Sequence, residues 1–265
     1  MCGIVGYLGG QSALDVVLVG LQRLAQEAAV GCSSAGVAVL ADGQLAAAKC
    51  AGALPGLHEE LARRPLPSAG TAIGHFRRAG QGRVSDTADA HPHLDSAGRV
   101  AVVQGGTLDS RSALRAELGE RGRGSRRGRG HAVGTDTDTG AVAQLLAEAF
   151  SSCGDLAEAV RQVCRRTAGS FTLVAVHADD PDAMVGACRA APLVAGWGDG
   201  DGDGEFVLAS DAAVFEDGVG ALCGVREVVE LGRAGRPGRE LVVELRRAGG
   251  MTVTDFEGAA AGVGA

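Results

Sequence analysis

The chain has 265 residues, 46% of them hydrophobic, and a formal net charge of −7 at pH 7. That is enough apolar material for a sizeable core in one large domain or two small ones. The acidic balance argues against a general nucleic-acid binder. No run of about 18 apolar residues and no charged-then-apolar leader occurs, which excludes a spanning helix and predicts a cytoplasmic chain with no membrane partner.

The chain opens "MCGIVGYLGG", an apolar strand with Cys2 directly behind Met1. If Met1 is trimmed, a thiol of pKa ~8.5 and an α-amine of pKa ~7.7–8.0 share one residue, a nucleophile carrying its own base. A small residue ahead of a strand is the plainer reading of the same Cys. Next, "SALDVVLVGLQRLAQEAA" places Leu14, Val17, Leu18, Leu21 and Leu24 at helical spacing. "GVAVLADGQLAAAK" reads as two strands about an Asp-Gly turn. A helix at "LHEELARR" precedes the strands "GTAIGHF" and "RVAVVQGG".

Helical patterns follow at "DSRSALRAEL", with Asp109 or Ser110 as its cap, at "GAVAQLLAEAF" and at "DLAEAVRQVCRR". Between the first two lies "RGRGSRRGRG" (121–130), which reads as a solvated loop rather than a phosphate or nucleic-acid site. Strands then dominate: "SFTLVAVH", "AMVGACRA", "PLVAGWG", "EFVLAS", "VREVVEL" and "ELVVEL". The Gly/Asp run 198–205 lacks the spacing of a calcium loop and reads as a hairpin turn, and "EGAAAGVGA" reads as a disordered tail. Short turns between neighbouring strands, with helices clustered mid-chain, predict an α+β fold of antiparallel sheets and disfavour a doubly wound nucleotide fold. Seven cysteines (Cys2, Cys32, Cys50, Cys153, Cys164, Cys188, Cys223) show no paired spacing, so no zinc site or disulfide framework is expected and most read as small core residues.

Several stretches together carry a resemblance: "CGIVGYLG", "SSAGVAVL" (33–40), "IGHFRRAGQG" (73–82), "AHPHLDSAGRVAVVQGG" (90–106), "LRAEL", "TDTDTGAV" (135–142) and the segment 191–211 ending "EFVLASD". In this order they resemble the glutaminase domain of class II glutamine amidotransferases, most closely the glutamine:fructose-6-phosphate aminotransferase family, also called glucosamine-6-phosphate synthases. The resemblance covers residues 2–257, leaving 258–265 as the disordered tail, and the sugar-isomerase domains of that family are absent from this sequence.

The resemblance implies the four-layer αββα sandwich of N-terminal-nucleophile hydrolases and hydrolysis of L-glutamine to glutamate and ammonia through a cysteine thioester, with no cofactor or metal. It places the nucleophile at Cys2, with its α-amine as base. Arg77 falls where the family holds the glutamine α-carboxylate, a task that suits a guanidinium fork. Asp138 falls where the α-ammonium is paired, with Asp136 one repeat earlier as an alternative and the following helical pattern favouring Asp138. The oxyanion hole falls at Gly105 and Gly106, but Gly105 stands where the family has Asn, and loss of one such donor typically costs ~10²–10³ in rate. Arg78, Gly80 and Gln81 replace the family's Trp, Thr and His, and Ser33 replaces an Asp. The implied partner is a separate synthase or sugar-isomerase subunit accepting the ammonia. Two alternatives stand beside this: a catalytically impaired pseudo-glutaminase serving as a binding or regulatory module, and a hydrolase of another amide.

Overall fold

The computed structural model describes residues 2–26, 31–78, 86–109, 137–198, 204–216, 218–232 and 240–262. In chain order these form β1 (Gly3–Leu8), α1 (Ala13–Gln26), β2 (Cys32–Ala41), β3 (Gln44–Ala51), α2 (Leu54–Arg63), β4 (Thr71–Arg78), β5 (His93–Leu94) and β6 (Val100–Leu108). There follow α3 (Asp138–Cys153), α4 (Leu156–Arg166), β7 (Gly169–His177), β8 (Asp180–Arg189), β9 (Leu193–Gly198), β10 (Glu205–Ala209), α5 (Val219–Cys223), β11 (Glu227–Gly232), β12 (Glu240–Arg246) and β13 (Gly250–Asp255). The strands build two sheets, one ordered β11-β9-β10-β1-β4-β2-β3 and the other β13-β12-β8-β7-β6-β5. Paired neighbours run antiparallel throughout both sheets, and the tight connections within β2–β3, β7–β8 and β12–β13 allow no other direction.

Three apolar layers hold four structural layers together. On one outside, Val17, Leu21 and Leu24 of α1 and Leu54 and Leu57 of α2 pack on Val5, Val37, Val39 and Phe76 of the first sheet. Between the sheets, Ile4, Leu8, Ala38 and Ile73 meet Val103, Val174, Met184 and Val243. On the other outside, Leu145 and Leu146 of α3 and Leu156, Val160 and Val163 of α4 cover Val102, Phe171, Leu173 and Val185. Each fully buried Leu, Ile, Val or Phe side chain contributes roughly 1.5–3 kcal/mol, so the interleaved layers dominate stability. The result is the α–β–β–α sandwich with antiparallel sheets that the resemblance implies. β1 is buried on both faces along its whole length, which explains why it reads as an apolar run rather than an alternating one.

Most predicted elements are present, including the hairpin across Asp42 and Gly43 and the antiparallel β9–β10 pair that flanks the Gly/Asp run. Residues 199–203 of that run, the helical pattern at "DSRSALRAEL" with Ser110, and the arginine cluster 121–130 lie outside the described residues. Two expectations need correction. Only Cys164, Cys188 and Cys223 are buried; Cys2, Cys32 and Cys50 are half-buried, Cys153 is exposed and all seven thiols are free. The start of the tail is ordered, because Ala260 bridges Thr254 and the Ala261 N–H donates to Val253 O at 3.0 Å, adding backbone bonds at the β13 edge. Among the described residues no helix is long and apolar enough to cross a membrane.

Candidate active site

β1 occupies the centre of its sheet, between β10 and β4, so its leading end is held from both sides. The Ile4 N–H donates to Ser210 Oγ at 3.0 Å, the Ser210 hydroxyl donates to Cys2 O at 3.4 Å, and the Ser210 N–H donates to Ile4 O at 3.1 Å. One buried serine thereby satisfies the backbone on both sides of Gly3, and Cys2 is fixed at the mouth of the inter-sheet layer. Gly3 is required by close approach: a Cβ there would stand 2.1 Å from Phe76 Cε1, where the ring crosses β1.

β4 brings Arg77 to the same place. Gly3 pairs with Phe76 and Ile4 with His75, so Arg77 lies across from Cys2 one step beyond the last pair. Cross-strand partners share a face, and that face is the inter-sheet side, where Ile4 and Ile73 are buried. Arg77 itself is exposed at the open end, with its carbonyl accepting the Ser33 hydroxyl at 3.3 Å.

From the opposite sheet, β6 passes over Cys2. A Cβ placed on Gly105 would lie 3.4 Å from Ile4 Cδ1 and 3.8 Å from Cys2 Cβ, both ordinary contacts. The next residue, Gly106, is exposed and has φ +87°, and a Cβ on it would fall 2.2 Å from Ser170 O. Only glycine fits there. Asp138 opens α3 and is half-buried. Its helix is capped by Thr137, whose Oγ1 accepts the Gly140 N–H at 3.1 Å. α3 is tied to β6 by the Thr139 hydroxyl donating to Gln104 Oε1 at 2.8 Å.

Beneath these segments lies a histidine stack. His75 and His91 have ring centroids 4.3 Å apart, and His91 and His93 4.8 Å apart. His91 Nδ1 accepts the Gln104 N–H at 3.1 Å, and His93 Nε2 lies 3.2 Å from Thr137 Oγ1. Burial pushes His75 down to about 3, with the Arg77 charge adding to the effect; His93 falls to about 4 through burial and Lys49. His91 is held well below the usual imidazole range by burial and its histidine neighbours. All three rings are neutral at pH 7, so they add no positive charge to that of Arg77 beside Cys2. No group of three or more His, Cys, Asp or Glu among the described residues is arranged to hold a metal ion.

The structure therefore brings Cys2, Arg77, Gly105 and Gly106 to one end of the inter-sheet layer and links Asp138 to it through Thr139 and Gln104. Asp136, Gly80 and Gln81 lie outside the described residues. Sequence reasoning missed Ser210, Gln104 and Thr139. A signal existed for Gln104, because a polar residue inside "VAVVQGG" must find buried partners; Ser210 and Thr139 carry no such mark.

No family model matches the chain. It is 54% identical over 263 residues to an isomerizing glutamine–fructose-6-phosphate aminotransferase of Streptomyces coelicolor, covering 99% of this chain and 38% of that protein. The protein of the same description from Leifsonia xyli is 41% identical over 260 residues, covering 98% and 38%. The chain thus spans about two fifths of the length of these relatives. Among solved structures it resembles the glutamine phosphoribosylpyrophosphate amidotransferase of Bacillus subtilis, with TM-score 0.69 and 22% identity over 96% of this chain and 49% of that one. A structure described as the allosteric regulatory enzyme of purine biosynthesis gives TM-score 0.72, also at 22% identity, with the same coverage. These two likenesses concern the fold.

Proposed function

The chain belongs to the class II glutamine amidotransferases, and we propose that it carries out their glutaminase half-reaction, releasing glutamate and ammonia from L-glutamine with Cys2 as nucleophile. The observation that carries the reading is the juxtaposition of Cys2 with the Gly105–Gly106 strand, 3.8 Å from Cys2 Cβ to a Cβ built on Gly105.

With Met1 removed, the Cys2 α-amine takes the thiol proton and the thiolate sulfur attacks the side-chain amide carbon of glutamine. The carbonyl electron pair moves to oxygen, where the Gly106 N–H donates to it. Collapse of this adduct breaks the carbon–nitrogen bond, and the protonated α-amine returns its proton to the departing ammonia. Water, deprotonated by the same amine, then attacks the thioester and releases glutamate and the free thiol. Arg77 binds the substrate α-carboxylate with its planar fork, and Asp138 pairs with the α-ammonium. The neutral histidines add no positive charge of their own beside Arg77. Free thiols suit a reducing, cytoplasmic setting. The fructose-6-phosphate in the relatives' description would be the acceptor of the ammonia.

Intact-protein mass spectrometry before and after incubation with diazo-oxo-norleucine, a glutamine-shaped electrophile, tests this reading. The expected result is a mass lacking Met1, one adduct mapped to Cys2, and glutamate release that Cys2→Ala abolishes. A processed chain that stays unlabelled and releases no glutamate overturns it in favour of a pseudo-glutaminase.

A further inference from the structure

We propose that Gln104 is a positioning residue for the oxyanion peptide, clamping it from behind; this deepens the glutaminase reading and rests on it. Gly105 C=O and Gly106 N–H are the two ends of one amide. Gln104 Nε2 donates to Gly105 O at 3.0 Å and to Gly106 O at 3.3 Å. Two carbonyls can only accept, so the NH₂ end of the side chain must face them. Its other end is fixed as well, because Gln104 Oε1 accepts the Thr139 hydroxyl at 2.8 Å. The backbone N–H of Gln104 is held by His91 Nδ1 at 3.1 Å. The side chain is buried, and every polar atom of this residue described here has a specific job.

The geometry gives that job its meaning. Successive residues of a strand face opposite ways: Gln104 reaches toward α3, whereas the Cα of Gly105 faces Cys2. In a planar trans amide the C=O and N–H point in opposite directions. A hydrogen bond that pulls the Gly105 carbonyl toward Gln104 therefore turns the Gly106 N–H toward the Cys2 side. It also polarises the amide, strengthening the N–H as a donor. Gly106, at φ +87°, and Gly105 are both glycines, so the peptide between them is among the freest in the chain to rotate. With no asparagine at position 105 to supply a second donor, the orientation of this one N–H carries the oxyanion stabilisation, and Gln104 sets it.

The test uses the full chain with Met1 removed and compares it with Gln104→Leu, which keeps the bulk and removes the three side-chain hydrogen bonds. Two rates are read: kcat and KM for glutamine, and alkylation of Cys2 by iodoacetamide, a displacement that forms no oxyanion. The expected result is a fall in kcat of about ten-fold or more with KM and alkylation rate within about two-fold of the parent. A kcat within about two-fold of the parent overturns the proposal, as does alkylation falling in parallel with kcat, which marks general disorder. If Gln104→Leu fails to fold, Thr139→Val frees the far end of the same amide, and a loss of about three-fold or more in kcat at constant alkylation is then required. A parent chain that neither turns over glutamine nor reacts with diazo-oxo-norleucine overturns both readings, whereas an active parent with an unaffected variant overturns this one alone.

Discussion

At the residue scale, Gly105 and Gly106 are glycines for opposite reasons. Gly106 cannot carry a side chain, because its φ of +87° and the Ser170 carbonyl leave no space for one. Gly105 could: a Cβ there makes only ordinary contacts, with Ile4 at 3.4 Å and Cys2 at 3.8 Å, and its backbone is not left-handed. The side chain missing from position 105 is thus absent by sequence, not by steric exclusion. Gly105→Asn is expected to raise kcat for glutamine hydrolysis by about ten-fold or more, part of the ~10²–10³ that one oxyanion donor typically supplies. Steady-state glutamate release checks it, with thermal unfolding showing an unchanged fold; an equal or lower kcat in a folded variant refutes the oxyanion role of this position. Motif order singled out Cys2, Arg77 and Gly105, which the structure brings to one end of the inter-sheet layer. Gln104 and Ser210 also depend on partners far away in sequence, Thr139 and Ile4, and no local pattern announces such pairings.

At the element scale, the first turn of α3 is the vulnerable joint of the site. α3 begins at Asp138, and its first turn is held by the Thr137 hydroxyl, which caps Gly140 and lies 3.2 Å from His93 Nε2. Removing a threonine cap typically costs ~0.5–2 kcal/mol of stability. Because the frayed turn is the one that carries Asp138, the loss falls first on the α-ammonium contact proposed for that residue. Thr137→Ala is therefore expected to raise KM for glutamine several-fold, about three- to ten-fold, while lowering kcat less. Kinetics with glutamine set against hydrolysis of a glutamine analogue lacking the α-amine would separate the two effects: the analogue should not feel the substitution. The hydrophobic periods made α1, α3 and α4 legible, and the Asp-Gly turn placed β2 and β3. β5, with only His93 and Leu94, and β13 were missed, since a two-residue bridge has no period and "GMTVTD" lacks the apolar run of its neighbours.

At the scale of the whole molecule, the site rests on a buried histidine stack that spans both sheets, since His75 belongs to β4 of the first sheet and His93 to β5 of the second. The layers were legible as a fold class, but this coupling between sheets was not, because His75, His91 and His93 become neighbours only when the sandwich closes. Their titration links stability to pH. All three are depressed below the ordinary imidazole value, His75 to about 3 and His93 to about 4, with His91 well below its usual range. The groups facing them are Arg77 and Lys49, both cationic, and Asp89, whose backbone bond raises His93 slightly. The unfolded chain binds protons at these sites below pH ~6.5 while the folded chain does not, so the unfolding free energy rises with pH across that window. The contribution is fully present above pH ~6.5 and is lost as pH falls toward the folded values, at up to ~1.4 kcal/mol per pH unit for each histidine. Between pH 6.5 and 5, above the main carboxylate range, urea unfolding should show stability falling steeply with acidification. His75→Phe, which keeps a ring in the stack and has nothing to protonate, should flatten that slope by about one histidine's share. A slope unchanged by the substitution would show that the stack does not couple the closed sandwich to pH.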